Sequence, residues 1–234
     1  MFSTVISALN EGFIVTFELF LITLVGALPL GLLISFGSMN KWTIRFRVRT
    51  GGNVSVKSIR PIQMVFRFIV WLFRGSPLLL QLMIIFYIPG ELGYQIWSFP
   101  NARFWAAAVA FILNYACYFS EIYRGGIEAI PRGQDEAGMV LGMTKTQIFF
   151  KVKLAQLIRR IVPPMSNEII TLVKDTSLAN TIALAEVIWA GRRFMKSDGL
   201  VWPLFFTGVY YLAFSGILTL FFGWVEKKLS FYKV

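Results

Sequence analysis

The sequence predicts an all-α membrane protein built on five transmembrane helices, and three observations carry that expectation. Hydrophobic residues fill 56% of its 234 positions, and the mean hydropathy of +0.66 lies above that of soluble globular domains. Apolar runs long enough to cross a bilayer recur at 13–38, 61–88, 104–123, 161–190 and 201–224. The net charge of +11 is distributed unevenly. Sixteen of the 23 Lys and Arg fall in the segments 41–60 and 124–160 and in the tail after 224. That bias marks cytoplasmic loops, so the N-terminus is expected outside and the C-terminus inside, with residues 1–234 forming a single transmembrane domain.

Taken in order, residues 1–12 carry no Lys or Arg, which suits the outer side. They lack a basic n-region and lead into an apolar run too long for a signal peptide, so the first run reads as a span. Gly26, Pro29 and Gly31 interrupt it, as membrane helices tolerate when neighbours cover the backbone. In 41–60, Trp42, Ile44, Phe46 and Val48 alternate with Lys41, Thr43, Arg45, Arg47 and Arg49; Gly51-Gly52 follow, and Val54 and Val56 resume the alternation. Period two around a Gly-Gly turn predicts a β-hairpin. Its cations fit anionic lipid at the membrane surface, and a partner subunit is the alternative client.

The second span holds Arg67 and Arg74, seven residues apart on one helical face that should turn inward. Gly75-Ser76-Pro77 should break that helix in mid-membrane, a break allowed only where the freed backbone is covered or lines a cavity. Residues 89–103 form an outer loop with Tyr94 and Trp97 as interface anchors. Asn114 is the conspicuous polar residue of the third span, and a single Asn also serves as interhelical glue. The fourth span carries Glu168, Lys174, Asp175 and Glu186. Charges at that depth normally face a cavity or one another, and an Arg74–Asp175 pair is the structural alternative to a site. Residues 191–199 return outside with Arg192, Arg193 and Lys196, against the charge trend; docking an acidic rim of an external protein is one reason for them.

Segment 124–160 is polar and basic between apolar runs and reads as two helices with a tight joint. Ala137, Val140 and Leu141 give the first helix an apolar stripe. Gly142 ends it where the backbone turns left-handed. Thr144 and Gln147 form a capping box that opens the second helix through Ile148, Phe149 and Val152. Helix–glycine–helix units also bind DNA, but both ends here continue into apolar spans and cannot lie in a major groove, so no nucleic-acid partner is expected. A passive linker is the remaining alternative.

With no histidine and one cysteine, Cys117, the chain offers no internal disulfide, no histidine or multi-cysteine metal site and no histidine-dependent triad. No G-x-x-x-x-G-K-[ST] occurs, so ATP hydrolysis by a P-loop is excluded. No catalytic residue, metal or cofactor is expected in this chain.

The loop resembles that of permease subunits of ATP-binding-cassette (ABC) importers, whose pattern is Glu-Ala-Ala, three residues, Gly, nine residues, Ile, one residue, Leu-Pro. Here it reads Glu136-Ala137-Gly138, Gly142 and Val152-Lys153-Leu154-Ala155, with the spacing kept, Gly for the third alanine and Ala155 for the proline. Arg74-Gly75-Ser76-Pro77-Leu78-Leu79, Gly133-Gln134, Pro163-Pro164-Met165-Ser166-Asn167-Glu168 and Lys174-Asp175-Thr176-Ser177-Leu178 are similar to the polar amino-acid branch. Together these cover about 74–186.

The resemblance implies a type I importer fold in a prokaryotic plasma membrane. It also implies a separate ATPase that binds ATP and Mg, an extracytoplasmic binding protein, and a second permease subunit, identical or homologous. Asp135, Glu136, Ala137, Gly138, Leu141 and Gly142 would dock the ATPase. A polar amino acid would meet Arg74 or Lys174 and the backbone of Gly75 and Ser76 through its carboxylate, and Asp175 through its ammonium, with Asn114, Thr176 and Ser177 adjusting fit. A gradient-driven transporter or channel for a small charged solute is the alternative class, since intramembrane charges permit it; a membrane-embedded enzyme lacks the residues.

Overall fold

The computed structural model describes residues 1–50 and 53–229. α1 (Phe2–Ser38) leads into a two-stranded antiparallel hairpin, β1 (Ile44–Thr50) and β2 (Asn53–Ile59). Then follow α2 (Pro61–Gly75), α3 (Leu78–Glu91), α4 (Ala102–Glu128), α5 (Gly133–Val140) and α6 (Lys145–Ile148). A π turn (Phe149–Lys153) joins α6 to α7 (Leu154–Asp175). A 3₁₀ stretch (Thr176–Ile182), α8 (Val187–Asp198) and α9 (Trp202–Leu229) complete the chain.

Length and composition make α1, α4 and α9 able to cross a membrane, and α2 with α3, bent by 103° at their junction, make a fourth if the broken pair is one span. α7, cut by charged residues, does not reach that standard. α1 is longer than the expected 13–38: its 37 residues extend about 55 Å at helical rise, well past a hydrocarbon core of roughly 30 Å. Its first turns pack on α9, where Phe2 stacks on Trp202 at 5.4 Å and Tyr210 donates to Asn10.

Packing fixes helix direction. Gly26 of α1 abuts Ile112 and Gly31 abuts Ala116 and Phe119, so α1 and α4 run parallel. Phe2 meets Trp202, Phe13 meets Tyr210 and Phe20 meets Phe214, at 5.4, 5.4 and 5.0 Å between ring centroids, so α9 runs parallel to α1 as well. Gly126, near the end of α4, abuts Leu157 and Ile161, near the start of α7, so α7 runs antiparallel. The hairpin, α5 with α6, and the end of α9 therefore share one end of the molecule. The loop 92–101 and the start of α8 lie at the other. The Lys-rich segments thus cluster at a single end, apart from Lys233, which lies outside the described residues.

The core is dominated by α4, whose Ala106, Ala107, Ala108, Ala110 and Ala116 are buried and let helices approach closely. By contrast Val209, Leu212, Ile217 and Leu220 of α9 are exposed, a surface suited to lipid.

The break expected at Gly75-Ser76-Pro77 is present, and two further expectations change. The span 61–88 is two helices, broken at Ser76–Pro77 because proline supplies no donor and holds Ser76 extended (φ −112°, ψ 146°). The span 161–190 is not one helix. After Asp175 the chain tightens, the Thr176 hydroxyl donating to Val173 O at 2.6 Å, and Ala183 turns left-handed (φ 55°). Buried Glu186 then accepts from Ile188 N and Trp189 N at 2.8 Å and starts α8. Finally, 191–199 is the helical end of α8 rather than a loop, Gly199 closing it at φ 69°. The hairpin expected in 41–60 is present, with Ile44 opposite Ile59 and Thr50 opposite Asn53; its Gly51-Gly52 turn lies outside the described residues.

α8 is seated on α1 at Gly12, where a Cβ would come within 2.9 Å of Val187 Cα and 3.0 Å of Glu186 O, both backbone. Gly12→Ala is expected to destabilise by about 1–3 kcal/mol, read as a lowered thermal midpoint in detergent. Gly216→Ala on α9, where the space is open, should leave that midpoint unchanged.

Candidate functional site

The break between α2 and α3 generates the site. Ending α2 at Gly75 frees carbonyls that would be costly in an apolar interior. Gln81, one turn into α3 and buried, covers them: its Nε2 donates to Phe73 O at 2.7 Å, Ser76 O at 3.0 Å and Ser76 Oγ at 2.9 Å. Its Oε1 accepts from Asn114 Nδ2 of α4 at 2.9 Å. Asn114, expected in the site, thus has a structural duty: it orients the glutamine that closes the break.

Beside this bend α4 and α7 complete a cavity of about 610 Å³. Of the expected contact residues, Arg74, Gly75, Ser76, Asn114 and Asp175 line it; Lys174, Thr176 and Ser177 do not. Lys174 is exposed on the other side of α7, since adjacent helical residues point about 100° apart. Thr176 is fully buried in its local bond to Val173.

Arg74 does not pair with Asp175. Its guanidinium lies 3.5 Å from Glu121 and 5.1 Å over the Tyr118 ring, an ion pair and a cation–π contact that hold it at the cavity edge. Asp175 instead accepts from the buried Tyr115 hydroxyl at 2.7 Å. Glu168 and Thr171 continue the Asp175 face of α7 into the cavity. One guanidinium therefore faces two carboxylates, Glu168 and Asp175, across a space large enough for a small polar solute. From Arg74 a cleft extends past Glu121, Gly126 and Ala129 to Arg160, toward the end that carries α5 and α6.

Sequence reasoning missed Gln81, Tyr115, Tyr118, Glu168 and Thr171 as site residues. A signal existed for some: Glu168, Thr171 and Asp175 recur at i, i+3 and i+7, and Asn114, Tyr118 and Glu121 at i, i+4 and i+7, a polar stripe on each of two apolar helices.

In the extramembrane segment the Thr144 capping box is formed, Thr144 N donating to Gln147 Oε1 at 2.8 Å and Gln147 N to Thr144 Oγ1 at 3.3 Å. Gly142 is left-handed (φ 71°). Gly138 is buried against Ile148, where a Cβ would lie 2.5 Å from its Cγ1, so the two short helices are locked together. Asp135 accepts from Lys153 Nζ at 2.8 Å. Glu136 and Ala137 are exposed, and so is the apolar stripe: Val140 is 88% and Leu141 77% accessible.

Gln81→Leu would leave the carbonyls of Phe73 and Ser76 without this donor. A loss of about 1–3 kcal/mol is expected, measured by thermal unfolding in detergent, with Gln81→Glu no better because it accepts where a donor is needed.

Residues 50–231 match the family described as binding-protein-dependent transport system inner membrane component. The Bacillus subtilis arginine transport system permease protein ArtQ is 34% identical over 94% of this chain and 91% of its own length. The Rhizobium meliloti octopine transport system permease protein OccM is 36% identical over 70% of this chain and 69% of its own. The fold matches that in a crystal structure of an amino acid ABC transporter with histidines, with a TM-score of 0.80 at 24% identity over 97% of this chain and 96% of that one. It also matches the MetNI methionine ABC transporter in an inward-facing conformation, with a TM-score of 0.62 at 19% identity over 92% of this chain and 91% of that one. The chain belongs to the family of inner membrane components of binding-protein-dependent transport systems.

Proposed function

We propose that the chain is the permease subunit of an ATP-driven importer and carries a polar amino acid across a prokaryotic plasma membrane. The observation that carries this reading is the mid-chain cavity in which Arg74 faces Glu168 and Asp175. A zwitterion needs a positive partner for its carboxylate and acceptors for its ammonium, and both stand across one space. Leu78 and Leu79, at the start of α3, add unpaired N–H groups and the positive end of a helix dipole on the Arg74 side. The arginine, octopine and cystine transport named for relatives of this chain supports a polar amino-acid substrate.

The work enters at the other end. α5 and α6 form a rigid extramembrane pair whose exposed Val140 and Leu141 have no partner among the described residues. Such a patch next to Glu136 and Gly142 fits a groove on a separate ATPase subunit, with Mg and ATP bound there and not here. The basic end that carries the pair would be cytoplasmic by the charge rule, and five membrane crossings with α7 as the fourth follow from that orientation. α7 is poorly apolar because part of its surface lines the cavity. An extracytoplasmic binding protein would deliver the substrate at the α8 end, and a second permease subunit would complete the enclosure, since this cavity opens at the surface of a single chain.

Two outcomes test the reading. In a complex reconstituted with its ATPase and binding protein, Asp175→Asn should raise the substrate concentration for half-maximal ATPase stimulation at least about tenfold, the cost of one charge-assisted bond. Unchanged stimulation removes Asp175 from the site. Leu141→Asp should abolish co-purification of the ATPase while leaving membrane insertion intact, and retained co-purification would remove α5 and α6 from the docking surface.

A further inference from the structure

The hairpin takes no part in the cavity or in the α5–α6 pair. Among the described residues its strands pack on each other and on no helix to any extent. A two-stranded ribbon alone is marginally stable in water, so this one requires a surface to lie on. Between Lys41 and Arg60 there are six Lys or Arg and no Asp or Glu. Apolar side chains are interleaved with them and left open: Trp42 is 56%, Phe46 46% and Ile59 44% accessible.

The root of the ribbon is fixed where two membrane helices end. Gln63 Nε2 donates to Ser38 O at 3.0 Å, and Gly37 presses on the Phe66 ring, which clamps the end of α1 to the start of α2. From that clamp each seven-residue strand extends about 23 Å. A ribbon of this length that starts at the bilayer boundary has the headgroup layer as its nearest large surface.

We propose that residues 41–60 form a foot for anionic phospholipid. Arg45 lies on the face of β1 opposite to the one that carries Phe46; that cationic face meets headgroup phosphates together with Lys41 and Arg60 at the root, where Trp42 enters the interfacial layer that aromatic rings prefer. An acidic protein surface would satisfy the cations but leaves the open Trp42 at the root without the amphipathic layer it matches. Each Lys or Arg near such a leaflet strengthens attachment about fivefold. The proposal requires only that the chain spans a membrane and is independent of the substrate and of the ATPase.

The test uses the full chain in nanodiscs. Ser58, exposed and opposite Arg45, is replaced in Ser58→Cys and labelled with an environment-sensitive fluorophore; native Cys117 is buried and stays unlabelled. Quenching by neutral acrylamide is compared in phosphatidylcholine discs and in discs with added phosphatidylglycerol. The expected result is about fivefold weaker quenching with phosphatidylglycerol. R45Q/R47Q/R49Q, checked for native helix content by circular dichroism, should erase that difference. Equal quenching in the two lipids overturns the proposal. So does protection that appears only when the ATPase subunit is added, which would assign the ribbon to a protein partner.

Discussion

A helix cannot be opened inside a bilayer unless something takes the place of its missing hydrogen bonds, and here that something is Gln81. Its amide collects two carbonyls and a hydroxyl at the end of α2, and Asn114 fixes it to the central helix. The bend of 103° between α2 and α3 depends on this arrangement. So does the site, because the bend creates the space that α4 and α7 then line. Buried polar networks of this kind are stable only when every member is satisfied, which makes the glutamine's position far from interchangeable.

Around the bend, charge is arranged by depth and by partner. Arg74 is held by Glu121 and Tyr118 rather than by the carboxylates across the cavity. Asp175 is held by Tyr115. Neither group is therefore neutralised by the other. The helix that carries Glu168 and Asp175 is correspondingly too polar to be recognised as a span by composition.

Much of the fold was legible in the sequence, and the failures have physical reasons. The Thr144–Gln147 box, the Gly142 joint, the break at Ser76–Pro77 and the alternating strands are local signals, set by residues a few positions apart. The division of 161–190 was not legible because its cause is tertiary: Glu186 is a charged residue in an apolar run, and only its seat against Gly12, Thr16 and Tyr211 makes it a cap instead of a membrane charge. The cavity was half legible. Arg74, Gly75, Ser76, Asn114 and Asp175 were visible as polar residues at unfavourable depth. Lys174, Thr176 and Ser177 were drawn in by sequence adjacency, which on a helix points them elsewhere, whereas Tyr115 and Tyr118 read as ordinary span aromatics.

The π turn at Phe149–Lys153 leaves the backbone helical from α6 to Asp175 without a loop. The helical path of 31 residues measures about 46 Å, with Pro163 and Pro164 inside it as the place where it can bend. Under the proposed function, a tilt imposed on the short pair would reach the Asp175 carboxylate along this path, with no loop between. Arg74 on α2 and Asp175 on α7 are thus mounted on separate helices, and in the proposed function the gap between them is the quantity such a movement adjusts.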